Sequence, residues 1–204
     1  MGRSAPHATN IVEIYKMKLE STPIKGLFVL HRPVHRDSRG QFTRLFAVEG
    51  LASAGRQTEA VHVNTSTSAK AGTLRGIHFQ YPPYAEAKIV ACTAGAIWDV
   101  GVDLRPESPT RFQWFGVKLT PDNGLSMVIP EGCGHAFITL EPNSTAVYVV
   151  SAVYAVDHES GIRYDDEMLA IKWPILPTVQ SDKDLEWGQL KSRIDELDSG
   201  FSTL

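Results

Sequence analysis

The stretch "GTLRGIHFQ", residues 72–80, sets one histidine, His78, inside a run that otherwise reads as a buried strand. A histidine there can be a metal ligand, a base that takes a proton, or a core residue with one satisfied hydrogen bond. Its company favours chemistry: Arg75 stands three residues before it and Lys88 ten residues after it. Alternate residues of a strand share a face, so Lys88 joins His78 only where two strands line one cavity. A second histidine, His135, closes "GLSMVIPEGCGH", and Tyr148 and Tyr154 lie an even six residues apart in "YVVSAVY". That spacing puts both tyrosines on one face of a continuous strand, as a core stripe or as part of a site.

The two histidine segments resemble those of metal-binding cupins, in which the first motif continues HxH with a glutamate a few residues on, and that resemblance implies His78, Glu86 and His135 as a possible facial metal set. Against this, the position two residues after His78 is Gln80, and a glutamine side chain is a far weaker ligand for a borderline transition metal than a neutral imidazole. The reading adopted is metal-free, with no cofactor.

The elements that must carry these side chains are strands. Apolar runs recur from Leu27 to Lys172: "GLFVLHRPV", "AVHVNTSTS", "KIVACTAGAIWDVGVDL", "FQWFGVKLT", "LSMVIP", "HAFITL" and "AVYVVSAVYAV". Each is bounded by Gly, Pro, Asn or Asp, and many are rich in Val, Ile, Thr and aromatic residues, which suit a pleated, half-buried surface. With no long helical segment between them, they predict an all-β sandwich or closed jelly roll, not a parallel sheet with crossover helices. A short helix is expected from Phe46 to Ala54. The tail from Ser181 to Leu197 reads as helical, since Leu190, Ile194 and Leu197 recur at helical spacing behind an acidic start. Residues 1–16 carry no strong pattern and read as an extension to a single domain over 17–204.

A chain of 204 residues with 43% hydrophobic content suits one domain with a substantial core. Cys92 and Cys133 form no CxxC pair and read as free thiols in a reducing cytoplasm. A net charge of −3 with scattered basic residues argues against a nucleic-acid surface, while a small anion in a local basic pocket remains compatible. No stretch approaches the roughly 18 apolar residues a membrane span requires, so a soluble protein is expected.

Gly124, Pro130, Gly132 and His135 follow the order G(x)5PxGxxH, and five residues separate Gly72 from His78. The two segments resemble the two cupin motifs, which belong to a double-stranded β-helix, or jelly-roll, barrel. A longer ordered set is more specific: "DSRGQF", "NTSTS", "LRGIHFQ", the lysine at 88, "IPEGCGHAF", "YVVSAVY", "DHESGIRYDDEMLAIKWP" and "SDKD". Over roughly Met17 to Trp187 it is similar to the dTDP-4-dehydrorhamnose 3,5-epimerase family.

The resemblance implies inversion of stereocentres beside the keto group of a nucleotide-linked 4-keto-6-deoxyhexose. A carbon-bound proton leaves only because the neighbouring carbonyl holds the charge as an enolate, so the site needs a base, a cation or donor at O4, and an acid on the opposite face. By resemblance His78 is the base, Asp184 of "SDKD" the carboxylate that orients it, Lys88 the cation at the keto oxygen and Tyr148 the proton donor. Tyr154 matches the ring that stacks on the nucleotide base. Arg39, Arg75 and Lys183 match contacts to the nucleotide part, with Asn64, His135 and Glu159 as further polar contacts and Gln80 counted beside them. Arg105, Arg111 and Arg163 lack such a match and are taken as solvated surface. A homodimer with exchanged strands is implied as well.

Departures concern the ends of the substrate. Arg44 stands where an acidic residue lining the nucleotide end is expected, His62 replaces a glutamine, and Cys133 replaces a bulky aromatic. They leave the proton-transfer group intact and bear on which nucleotide or sugar is bound. Two rival readings stay open: an epimerase acting at C3 or C5 alone or a keto-isomerase, and a non-catalytic sugar- or metal-binding cupin.

Overall fold

In a computed structural model, which describes residues 16–47 and 60–204, the apolar runs become thirteen strands. They are β1 (Lys18–Ser21), β2 (Phe28–His31), β3 (Val34–Asp37), β4 (Gly40–Thr43), β5 (His62–Ser68), β6 (Leu74–Gln80), β7 (Lys88–Ala94), β8 (Ile97–Asp103), β9 (Trp114–Leu119), β10 (Leu125–Ile129), β11 (Cys133–Thr139), β12 (Ser144–Val150) and β13 (Glu159–Gly161). A six-stranded sheet runs β1-β2-β10-β7-β12-β5 and a five-stranded sheet runs β13-β6-β11-β8-β9, with β3 and β4 as a separate hairpin. Neighbouring strands are antiparallel, and the two sheets form the jelly roll expected from the sequence. No described helix is long and apolar enough to cross a membrane.

Strand alternation sorts the side chains into three apolar clusters. Between the sheets lie Leu27, Val90, Ile97, Met127, Ile129 and Phe137. On the outer face of the five-stranded sheet, Ile77 and Phe79 of β6 and Val100 and Val102 of β8 meet Ile162, Leu169, Leu190, Leu197 and Phe201 from the C-terminal segment. The outer face of the six-stranded sheet carries Leu30, Ile89, Val128 and Val149. At about 1.5–3 kcal/mol for each large side chain removed from water, these clusters dictate the register. Because Ile77 and Phe79 are drawn outward, His78 between them is turned inward. By the same parity Val90 and Cys92 hold β7 with Lys88 facing the interior.

The tail departs from the single helix expected over Ser181–Leu197. It is divided into α1 (Asp182–Glu186), a 3-10 turn (Leu190–Ser192) and α2 (Ile194–Gly200). Trp187 turns extended at φ −59°, ψ 142°. The buried Asp166 carboxylate then accepts Leu190 N–H at 2.6 Å, a donor that a continuous helix would have given to Glu186. The expected helix over Phe46–Ala54 lies mostly outside the described residues, as do residues 1–15 of the expected extension.

Candidate active site

β6 presents His78 to the interior, and α1 brings Asp184 to it from more than a hundred residues away in the chain. His78 Nε2 lies 2.7 Å from Asp184 Oδ1, while Asp184 Oδ2 accepts Gly76 N–H at 3.2 Å. Ser181 caps α1, its hydroxyl accepting Asp184 N–H at 3.1 Å, which fixes the carboxylate's approach. Burial alone would raise the Asp184 pKa, but the hydrogen bonds from His78 and Gly76 outweigh it and hold the carboxyl below its ordinary range. The ionised carboxylate can only accept, so Nε2 carries the proton. In the neutral ring this leaves the lone pair on His78 Nδ1, the tautomer a base requires.

Two cavities, of about 450 and 290 Å³, share His78, Lys88 and Tyr148 in their linings. Lys88 comes from β7, Tyr148 from β12 and His78 from the facing sheet, so both sheets line one interior, the condition strand parity set for Lys88 and His78. The larger cavity adds Arg75, His135, Lys183 and Asp184; its lysines and arginine outnumber its one carboxylate and suit an anion. The smaller adds His62, Asn64, Glu86, Tyr154 and Glu159. Burial raises the Tyr148 phenol above its ordinary pKa, with Arg75 opposing and Glu86 reinforcing, so the hydroxyl keeps its proton.

Several expected residues sit differently from the sequence reading. Tyr154 is not on a strand face with Tyr148, because β12 ends at Val150. Tyr154 lies in the following loop, 61% exposed, with its hydroxyl donating to Glu159, which also pairs with Lys183. Gln80 is buried and lines the smaller cavity, with its polar atoms engaged by the backbone: its amide donates to Tyr84 O and Val153 O and its oxygen accepts Ala155 N–H, so it ties two loops together. Arg39 lies on the β3–β4 hairpin, paired with Asp37, and Arg44 follows β4; neither lines the two cavities. Arg105 is no solvated side chain, since it pairs with the wholly buried Asp103.

Each residue of the alternative metal set has one polar atom paired within the protein. His135 Nε2 is 2.8 Å from Asp99 Oδ1, His78 Nε2 is on Asp184, and Glu86 Oε1 is 3.0 Å from Lys88 Nζ. Among the described residues no group of three His, Cys, Asp or Glu could hold a metal ion. Asp99 and the Glu86–Lys88 pair escaped the sequence reading, because an acidic residue within a strand, as Asp99 is, or just before one, as Glu86 is, gives no local sign of which partner the fold will bring to it.

Residues 21–192 match the family model described as dTDP-4-dehydrorhamnose 3,5-epimerase. A protein of that name from Sinorhizobium fredii is 36% identical over 173 residues, covering 84% of this chain and 89% of the relative. A crystal structure of dTDP-6-deoxy-D-glucose-3,5-epimerase from Legionella pneumophila, in complex with dTDP-4-keto-L-rhamnose, superposes with a TM-score of 0.83 at 34% identity, covering 89% of this chain and 96% of that one. A 3'-monoepimerase from Streptomyces bikiniensis, in complex with dTDP-quinovose, gives a TM-score of 0.76 at 28% identity, covering 89% and 98%.

Proposed function

The chain belongs to the dTDP-4-dehydrorhamnose 3,5-epimerase family, and on that premise we propose a route by which it epimerises a dTDP-4-keto-6-deoxy sugar. His78 Nδ1 removes the proton from the carbon beside the C4 carbonyl. Asp184 holds the ring in the required tautomer and balances the imidazolium. Lys88 faces the keto oxygen, where a positive charge on a largely buried side chain offsets the enolate more effectively than in bulk solvent. Tyr148 returns a proton on the opposite face, which inverts the centre. The observation that carries this reading is the His78–Asp184 pair, 2.7 Å apart, in a cavity that also holds Lys88 and Tyr148.

The nucleotide lies toward Tyr154, whose exposed ring offers a stacking face. Arg75 and Lys183 hold the diphosphate, with His62, Asn64, His135 and Glu159 as polar contacts. Arg39 serves the nucleotide of a second copy: a homodimer exchanging strands brings the β3–β4 hairpin to its partner's cavity, which accounts for its distance from the cavity of its own chain. The protein works as one domain over residues 17–204, without a cofactor, in the cytoplasm, a compartment that suits the free thiols of Cys92 and Cys133.

Replacing His78 by Asn tests the base. Wild-type protein in deuterium oxide should incorporate deuterium at C3 and C5 of the sugar and the variant should not; exchange retained by the variant removes His78 from the role. Inversion at a single centre is the second reading, favoured by the likeness to the monoepimerase. Product NMR decides it, because one base on one face can serve either carbon.

A further inference from the structure

Lys88 shares the keto end of the cavity with a carboxylate. Its Nζ lies 3.0 Å from Glu86 Oε1, and the two side chains are only 11% and 14% exposed. The backbone is anchored on both sides of Glu86: Gln80 holds Tyr84 O at 2.9 Å, and Ala87 N–H donates to Ser151 Oγ at 2.8 Å. Glu86 therefore reaches Lys88 from a fixed support, and it lines the smaller cavity alongside Lys88 and Tyr148.

A lysine reaches its target on a flexible four-carbon stem, so nothing in the stem itself fixes where the ammonium stands. Charge stabilisation of a transition state depends on that position, because a cation that must reorganise during the reaction loses most of its advantage. A buried ammonium also requires a partner to offset its lost hydration. Glu86 meets both needs with one contact.

We propose that Glu86 is a positioning residue for Lys88, holding the ammonium where the sugar's keto oxygen gathers negative charge. This inference rests on the enolate route above and deepens it. Since Glu86 acts through Lys88, and the cations assigned to the diphosphate are Arg75 and Lys183, its loss should slow the chemical step and leave the hold on the nucleotide intact.

The test compares Glu86→Gln and Glu86→Asp with wild type, reading kcat, KM and dTDP affinity by calorimetry. Glu86→Gln should lower kcat about 10- to 100-fold, as loss of a partner that orients an active group commonly does, while KM and dTDP affinity stay within about twofold. Glu86→Asp, which keeps the charge on a shorter arm, should recover part of the loss and fall only about two- to tenfold below wild type. Wild-type kcat in Glu86→Gln, a loss carried wholly by KM, or an aspartate variant no better than the glutamine one each overturns the proposal. Should Glu86→Gln fail to fold, Glu86→Asp decides alone, and wild-type kcat in it overturns the proposal. Wild-type protein that exchanges no sugar proton in deuterium oxide sinks the enolate route itself, which separates the two failures.

Discussion

Arg75 and His78 line the same cavity although they stand three positions apart, an odd step, within β6. In a regular strand they would point to opposite faces. The register with β11 explains it: His135 pairs with His78 and Phe137 with Arg75, so three steps in β6 span two in β11. This is a bulge, and it places Gly76 at φ +117°, a conformation side chains rarely adopt. The same Gly76 gives its N–H to Asp184, so one glycine aims the arginine, admits the histidine and anchors the carboxylate.

Gly76→Ala should therefore damage both fold and function. Its Cβ would stand 2.5 Å from His135 O and 2.6 Å from Ala136 Cβ, at an unfavourable φ. We expect a loss of more than about 2 kcal/mol in unfolding free energy, read by denaturant titration, with catalytic activity falling alongside. Wild-type stability would mean the strand accommodates a side chain there.

The fold was legible where alternating or continuous apolar runs spanned five to seven residues, as in β5 to β12. The short strands β1, β4 and β13 carry too few apolar positions to stand out. Parity also fails where a strand stops unannounced: Tyr154 shares Tyr148's parity, yet Gln80 holds Ala155 N–H and Val153 O, turning the chain away after Val150. Of the site, His78, Arg75 and Lys88 drew attention by spacing alone. Asp184 entered only by resemblance, since pairing at 106 residues' separation depends on how α1 folds back. Glu86 drew notice only as a donor in a metal set that the reading set aside, and its pairing with Lys88 was not foreseen.

Asp184→Asn should preserve the shape of the site and disable its base. An amide can donate as well as accept, so it no longer dictates that Nε2 carries the proton, and it offers no charge to the imidazolium. A kcat loss of about 10³-fold or more is expected, with dTDP affinity little changed. Steady-state kinetics with calorimetry checks this, and a loss confined to KM would place Asp184 in substrate binding instead.

Acid should weaken the fold through Asp184 and Asp103, both held below the ordinary carboxylate range. For Asp103 burial works upward, and hydrogen bonds from Arg105, Ser108 and Thr110 overcome it. A depressed folded-state pKa adds stability that is fully present above the unfolded value of about 3.9 and is lost as pH falls through the folded value. Asp103→Asn, which strands Arg105, should cost about 3 kcal/mol at neutral pH and make the remaining stability less dependent on pH below about 4. Urea titrations at pH 7 and pH 3 measure both quantities; equal losses at the two pH values would show that the carboxylate's charge is immaterial.

Tyr148→Phe separates the two halves of the reaction. If His78 removes the proton and Tyr148 returns one on the opposite face, the variant still forms the enolate and still lets His78 hand back a solvent-derived deuteron to the face it came from. Deuterium incorporation into recovered substrate should continue, while inverted product falls by about 10²-fold or more, the usual loss when a general acid is removed. Phenylalanine fills the same half-buried position on β12, so the barrel should melt near the wild-type temperature. Mass spectrometry of the recovered sugar, paired with NMR of its stereochemistry, distinguishes the outcomes. Loss of exchange together with inversion would assign Tyr148 to enolate formation, whereas undiminished inversion would require a different acid on that face.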